Sequence, residues 1–268
     1  MGQNLEGVPE TLLIPLWARA VEAEQEDPII KDDLSVELVE KIEYDFSKFD
    51  NAWMSQTGVV IRTEILDKAT GAFINRHPDA VIVNIGCGLD TRFFRVDNGR
   101  IHWYDLDLPE VIEIRKQFFE ETDRYETIDK SVFDYSWINN VDTINKPVLI
   151  IAEGVLMYFT EEEVNKLMNR LVDSFKEAEM LFEIISPIMA KGSKQHETVK
   201  KMNAEFQWGI KNGKNLEKFN SKIKFMEEWN YFDYHKHRWR WMRLFTSIHP
   251  LKNRISTRIV HLKFYNRN

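Results

Sequence analysis

The segment AVIVNIGCG, residues 80–88, constrains this chain more than any other. An apolar, β-branched run that stops at glycines reads as a buried strand entering a tight turn, where backbone can approach a ligand closely. The pattern recurs downstream: residues 101–107 (IHWYDLD), 125–129 (YETID), 147–154 (PVLIIAEG) and 179–185 (EMLFEII) are strand candidates. Between them lie two helical candidates, 109–121, opened by Pro109, and 160–175, with Thr160 as cap and Glu163 at capping-box spacing. Strands alternating with helices imply a mostly parallel sheet covered on both faces. Two late strands, in KIKFMEEWNYFD and TRIVHLKFYN, are placed to close it. Residues 9–76 read as helical, and 189–215 as an inserted helical cap.

A chain of 268 residues with 43% hydrophobic and 29% charged content suits one large α/β domain. Its net charge of −7 gives no global attraction to nucleic acid or to an anionic membrane. The single cysteine, Cys87, excludes an intramolecular disulfide and argues for a reducing compartment. No secretory signal pattern opens the chain, and no apolar run approaches the roughly 18 residues a membrane span needs. A cytoplasmic protein is the expectation.

The glycine turn departs from the dinucleotide fingerprint Gly-x-Gly-x-x-Gly. Thr91 stands at the third glycine position, and Asp90 lies inside the turn. A carboxylate beside a pyrophosphate is repulsive; a ligand without phosphates escapes that objection. A plain strand-to-helix connection is the alternative. Asp107 ends the next strand, 21 residues beyond Gly86, where an acid can accept hydrogen bonds from ribose hydroxyls. Asp105, on the same strand face, is a possible substitute, and a solvated strand end is the bland reading. Glu153 closes an apolar strand, where a lone carboxylate is costly unless paired, either with a cationic group on a ligand or with a local Arg or Lys. In SVFDYSW (131–137), Ser131 and Asp134 can hydrogen-bond an adenine edge while Val132 or Tyr135 packs on its face, or the segment merely caps a loop.

In this order, NIGCGLDTRFFR, DLDLPEVIEIRK, SVFDYSW and IAEGVLMYFTEEEV resemble the leucine carboxyl methyltransferase family. Within it, the chain looks most like the bacterial branch that resembles polyketide carboxyl O-methyltransferases. The likeness runs over residues 10–190. It implies a class I S-adenosylmethionine-dependent methyltransferase fold: α/β, Rossmann-like, a mostly parallel seven-stranded sheet with N-terminal helices and an inserted helical cap. Residues 1–78 would form the helical segment over the cofactor, and 79–268 the Rossmann-like part with its cap near 187–220. S-adenosylmethionine would be the cofactor and S-adenosylhomocysteine the product. Carried over residue by residue, Gly86, with Cys87 and Gly88, would approach the methionine portion. Asp107, beside Leu108, would hold the ribose, and Ser131 and Val132 would meet the adenine. Glu153 would sit near the amino-acid end or the sulfonium. Arg62, in VVIRTEILD, would pair with the cofactor carboxylate, and Arg19 is a further cofactor or substrate candidate. Ser131 stands where the eukaryotic branch has an aspartate, which puts that branch's protein-substrate function in doubt.

The expected reaction is O-methyl transfer to a carboxylate of a small polyketide-like or other apolar acid. Such a nucleophile is already ionised at neutral pH and needs no general base, in agreement with the absence of any convincing triad or metal-ligand pattern in the sequence. A phenol or alcohol would need a base, for which His196 or His235 are candidates, a lone surface histidine being the alternative for each. Tyr158 is the candidate for a positioning residue at the reaction centre, with strand-to-helix packing as its alternative. Trp208, Trp229, Trp239 and Trp241 would suit a flat, apolar acceptor, or serve core packing alone. The basic, aromatic stretch YHKHRWRWMRLF (234–245) would attract an anionic substrate or cover a charged neighbour rather than bind nucleic acid; if helical, it would turn Trp241, Leu244 and Phe245 inward. Asp90 and Arg92 would pair with neighbours and shape the turn. A nicotinamide-dependent oxidoreductase and a non-catalytic cofactor-binding relative are the rival readings.

Overall fold

The computed structural model describes residues 3–4, 10–144, 146–175, 177–192, 205–246, 252 and 254–265. The strands of its main sheet are β1 (Val81–Ile85), β2 (His102–Asp107), β3 (Tyr125–Asp129), β4 (Val148–Ala152), β5 (Glu179–Ile185), β6 (Ile223–Asn230) and β7 (Thr257–Phe264). They lie in the spatial order β3-β2-β1-β4-β5-β7-β6. The strands from β1 to β5 are parallel; β7 runs antiparallel beside β5, and β6 antiparallel beside β7. Strand order reverses at β1, which has β2 on one side and β4 on the other. The crevice at the carboxyl ends of these strands is therefore where such a sheet takes a ligand. This is the class I methyltransferase architecture expected from the sequence. A two-residue parallel pair, Gln3–Asn4 with Ile42–Glu43, lies apart from it.

The helices are α1 (Glu10–Ala23), α2 (Asp33–Lys41), α3 (Trp53–Arg76), α4 (Arg92–Val96), α5 (Pro109–Arg115), α6 (Glu161–Ser174), α7 (Pro187–Gly192) and α8 (Met242–Thr246). Every residue of β1, β4 and β5 is buried, as a parallel sheet covered on both faces demands. Successive side chains enter opposite cores. Ile82, Leu149 and Ile151 pack with Ile61, Ile65 and Phe73 of α3 and with Leu13 and Leu16 of α1. Val81, Val83 and Ile150 pack with Val164, Leu167, Met168 and Leu171 of α6. Helix α6 starts where its signals placed it: Thr160 Oγ1 accepts from Glu163 N at 3.2 Å, and Glu163 Oε2 accepts from Thr160 N at 2.8 Å.

Three local expectations fail. Helix α5 ends at Arg115 rather than 121, because the chain turns there to bury Phe119 against Phe94, ring centroids 5.5 Å apart, and under the Arg115 guanidinium at 4.3 Å. The expected helical cap begins as α7, and residues 193–204, His196 among them, lie outside the described residues. Residues 205–212 are not helical, since their amides bond elsewhere: Gln207 N and Trp208 N to Met157 O, Ile210 N to Ile185 O. In the basic stretch, Trp241 and Leu244 are 57% and 68% exposed; Trp239 takes the buried place instead. Two positive-φ residues, His235 (φ 43) and Arg240 (φ 47), bracket the 3₁₀ turn Lys236–Trp239 and break the helical periodicity. Among the described residues, no helix is long and apolar enough to cross a membrane.

Candidate active site

A cavity of about 1920 Å³ opens above the carboxyl ends of β1, β2, β4 and β5. Its floor is the glycine turn. Gly86 has φ 65 and Gly88 φ 49, the left-handed region, and a Cβ on Gly86 would lie 2.2 Å from Val155 Cγ2. Buried guanidiniums hold successive carbonyls of the turn. Arg115 donates to Gly88 O at 2.8 Å and to Asp90 O at 2.7 Å, and Arg19 to Leu89 O at 2.8 Å. Arg19, a cofactor or substrate candidate by sequence, thus lines the cavity but spends its nitrogens on the turn, on Asp32 and on Ser35.

Asp107 lies on the lining beside Leu108. Its Oδ2 accepts from Gly88 N and its Oδ1 from Leu108 N, both at 2.8 Å, so the carboxylate is aimed while each oxygen retains a lone pair. Burial raises its pKa and the two amides partly offset that. Asp105 is no substitute. It is fully buried, accepting from Asn84 Nδ2 at 2.9 Å, Trp103 Nε1 at 2.9 Å and Tyr125 OH at 2.8 Å, with Arg115 Nη2 at 2.5 Å. Two residues down the strand, it lies beneath the turn rather than in the cavity. Ser131, Val132 and Phe133 line the cavity, whereas Asp134 caps its own turn through Ser136 N at 3.1 Å and Tyr135 packs beneath Arg170. Neither Asp134 nor Tyr135 reaches the lining. Cys87 does, and burial raises its thiol pKa well above the ordinary value, so it stays a neutral wall.

The carboxylate inside the turn has its partner in the protein. Asp90 Oδ2 meets Arg92 Nη1 at 2.7 Å; Arg92, fully buried, also meets Asp67 at 2.7 Å and Glu153 at 2.5 Å. Burial raises the Glu153 pKa, but Arg62 and Arg92 outweigh it and hold the carboxyl below the usual range. Local arginines, one of the two pairings foreseen for Glu153, therefore flank it. Arg62 approaches Glu153 with Nε at 2.7 Å and Glu183 with Nη1 at 2.9 Å. Among the described residues its buried Nε, close as it is to Glu153, makes no hydrogen bond, so that contact is an ion pair only. Tyr231 OH donates to the other oxygen of Glu183 at 2.9 Å. No local sequence signal marks Tyr231, whereas Glu183, a carboxylate within the apolar EMLFEII, carries the same signal as Glu153.

Away from this polar end the lining is apolar: Met157, Ile185, Met189 and Phe206 on one side, Trp53, Phe232, Trp239 and Met242 on the other. Tyr158 lies on the lining with its ring against Phe206, centroids 5.3 Å apart, and its hydroxyl without a hydrogen bond among the described residues. Burial raises its pKa, so it is a neutral phenol at physiological pH. His235 is not on the lining; its Nε2 meets Glu64 at 2.7 Å. Of the four tryptophans expected to meet the acceptor only Trp239 lines the cavity. Trp208 is buried in the sheet core, Trp229 stacks on His261 and Trp241 faces outward.

Sheet order, turn and cavity define a class I methyltransferase. The sequence model of the leucine carboxyl methyltransferase family matches residues 13–172. The tetracenomycin polyketide synthesis O-methyltransferase of Streptomyces glaucescens is 35% identical over 87% of this chain and 87% of its own length. An S-adenosyl-L-methionine-dependent methyltransferase of Gibberella zeae is 31% identical, over 84% of this chain and 82% of its own. Among solved structures, a DUF574 family protein of Streptomyces avermitilis shares the fold at 10% identity, with a TM-score of 0.60 over 93% of this chain and 96% of that one. The chain belongs to the leucine carboxyl methyltransferase family. It is accordingly an S-adenosylmethionine-dependent O-methyltransferase, and the nicotinamide and non-catalytic readings fall away.

Proposed function

We propose that the chain methylates a carboxylate of a small, flat, apolar acid, drawing the methyl from S-adenosylmethionine bound along the strand ends. The observation that carries this reading is the division of the cavity. Directed polar groups (Asp107, Ser131, Glu153, Arg62) stand at the strand ends, and an aromatic and methionine-rich wall faces them. In this reading Asp107 takes the ribose hydroxyls. Gly86, Cys87 and Gly88 give the methionine portion a side-chain-free approach, and Leu108, Ser131 and Val132 flank the adenine. Arg62, on the cavity lining, pairs with the cofactor carboxylate.

The cofactor supplies an activated methyl on a sulfonium. The protein's part is to hold the acceptor oxygen in line with it and to exclude water. Tyr158, a neutral donor on the lining, is placed to orient that oxygen. Among the described residues the lining holds no histidine, and an ionised carboxylate asks for no base. The relatives are methyltransferases, one of them an O-methyltransferase of polyketide synthesis, which supports O-methyl transfer to a small molecule.

The test is turnover with S-adenosylmethionine on a panel of aromatic acids and matched phenols, read by mass spectrometry. Expected are methyl esters that mild base hydrolyses. Base-stable methyl ethers formed from the phenols alone would overturn the carboxylate reading.

A further inference from the structure

The ion pairs around the cofactor end form one continuous buried network. Arg19 pairs with Asp32, and Asp32 with Arg95; Arg95 also meets Asp67 and Asp90. Arg92 joins Asp67, Asp90 and Glu153, and Arg62 joins Glu153 and Glu183. Among the described residues, four guanidiniums of this network thus face five carboxylates, one more anion than cation.

The excess sits at one residue. Asp32, Asp67, Asp90 and Glu153 each touch two of these arginines. Among the described residues Glu183 touches only Arg62, which it shares with Glu153; its other oxygen has the neutral Tyr231 hydroxyl. Glu183 is 5% exposed and lies on the cavity lining, among Arg62, Gly154 and Tyr231. Two lysines on the same lining are engaged elsewhere, Lys130 with Ser136 and Asn140 and Lys48 over the Tyr44 ring. A buried carboxylate left short of positive charge is costly, and a cation entering the cavity relieves that cost.

We infer that Glu183 is the charge-selecting residue of the cofactor site, favouring the cationic sulfonium of S-adenosylmethionine over the neutral thioether of S-adenosylhomocysteine. This rests on the cofactor reading above. In the transfer, the acceptor oxygen forms a bond to the methyl carbon, the carbon–sulfur bond breaks, and its electron pair stays on sulfur. Cofactor and carboxylate acceptor thereby lose one positive and one negative charge together, leaving a neutral ester and a product with no net charge. The unmatched anion at Glu183 then loses its partner, so the product is held less tightly than the cofactor. Glu183 acts on the bound ligand's charge.

The experiment is calorimetric titration of the wild type and Glu183→Gln with three ligands: S-adenosylmethionine, S-adenosylhomocysteine, and sinefungin, whose amine places a positive charge near the sulfonium position. Glutamine keeps the shape and can still bond Arg62 and Tyr231. The expected result is affinity for the two cationic ligands reduced fivefold or more, with that for S-adenosylhomocysteine changed by less than twofold. Equal losses for all three would mean that Glu183 serves only the ammonium group the ligands share, and would overturn the inference, as would no change. Should the variant not fold, the wild type decides: sinefungin must bind more tightly than S-adenosylhomocysteine, and equal or reversed affinities overturn the inference. A wild type that binds none of the three would instead refute the cofactor reading itself.

Discussion

Asp107 and Asp105 show how two residues of one strand, two positions apart, come to opposite uses. Both are acids on the same face. Asp107 reaches the crevice and is aimed by two backbone amides, whereas Asp105 is consumed by Asn84, Trp103, Tyr125 and Arg115 beneath the turn. Sequence spacing could not separate them, because the difference is set by which buried groups the other strands and helices bring underneath. Asp107→Ala should raise the dissociation constant for S-adenosylhomocysteine about 100-fold, the loss of two hydrogen bonds to a charged acceptor, while the thermal midpoint moves little. Calorimetry on the folded variant showing unchanged affinity would remove the ribose assignment. Tyr158→Phe should lower kcat on the order of tenfold with cofactor affinity unchanged, since only alignment of the acceptor is lost. Steady-state kinetics at saturating cofactor checks this, and an unaltered kcat would return Tyr158 to simple packing.

At the scale of elements, the legible parts were those whose signals are local. Helix α6 carries its cap, its capping box and five buried residues at helical spacing, and β1, β4 and β5 are nearly continuous apolar runs. Leu167→Ala in α6 should cost about 2–5 kcal/mol, measured by urea denaturation, because the side chain is completely buried against the sheet. A cost under about 1 kcal/mol would show that α6 is not part of the core. The segments misread as helix were decided by distant partners instead. The stretch after Phe206 gives its amides to Met157 and Ile185, and α5 yields to the burial of Phe119. Tyr231 had no local signal at all; its role comes from Glu183, which lies 48 positions away in sequence.

Across the whole molecule, one cavity and one buried charge network join the N-terminal helices, the sheet and the segment after β6. Arg19 of α1 and Arg62 of α3 serve the same crevice as Asp107, Glu153 and Glu183 at the strand ends, and Tyr231 closes it from the C-terminal side. Acid should dismantle this network first. Asp32, Asp90 and Glu153 are held below the ordinary carboxylate range: each is buried, which raises its pKa, but arginines outweigh that. A carboxylate whose folded pKa is depressed adds stability that is full above its unfolded pKa, about 4, and is lost as the pH falls toward the folded value. The unfolding midpoint should therefore be flat from neutral pH to about 5 and fall steeply below about 4. Asp107, whose pKa is raised, acts in the opposite sense and partly blunts that fall. A midpoint that does not change between neutral pH and pH 3 would contradict the network's contribution. The central claim, that this crevice is the seat of an adenosyl cofactor, is tested most directly by thermal unfolding with S-adenosylmethionine, S-adenosylhomocysteine and NAD in parallel, because a ligand that binds only the folded state raises its midpoint. The account predicts a rise with both adenosyl compounds, none with NAD, and a much smaller rise with the adenosyl compounds in Asp107→Ala at the same ligand concentration; a shift with NAD, or none with either adenosyl compound on the wild type, would contradict it.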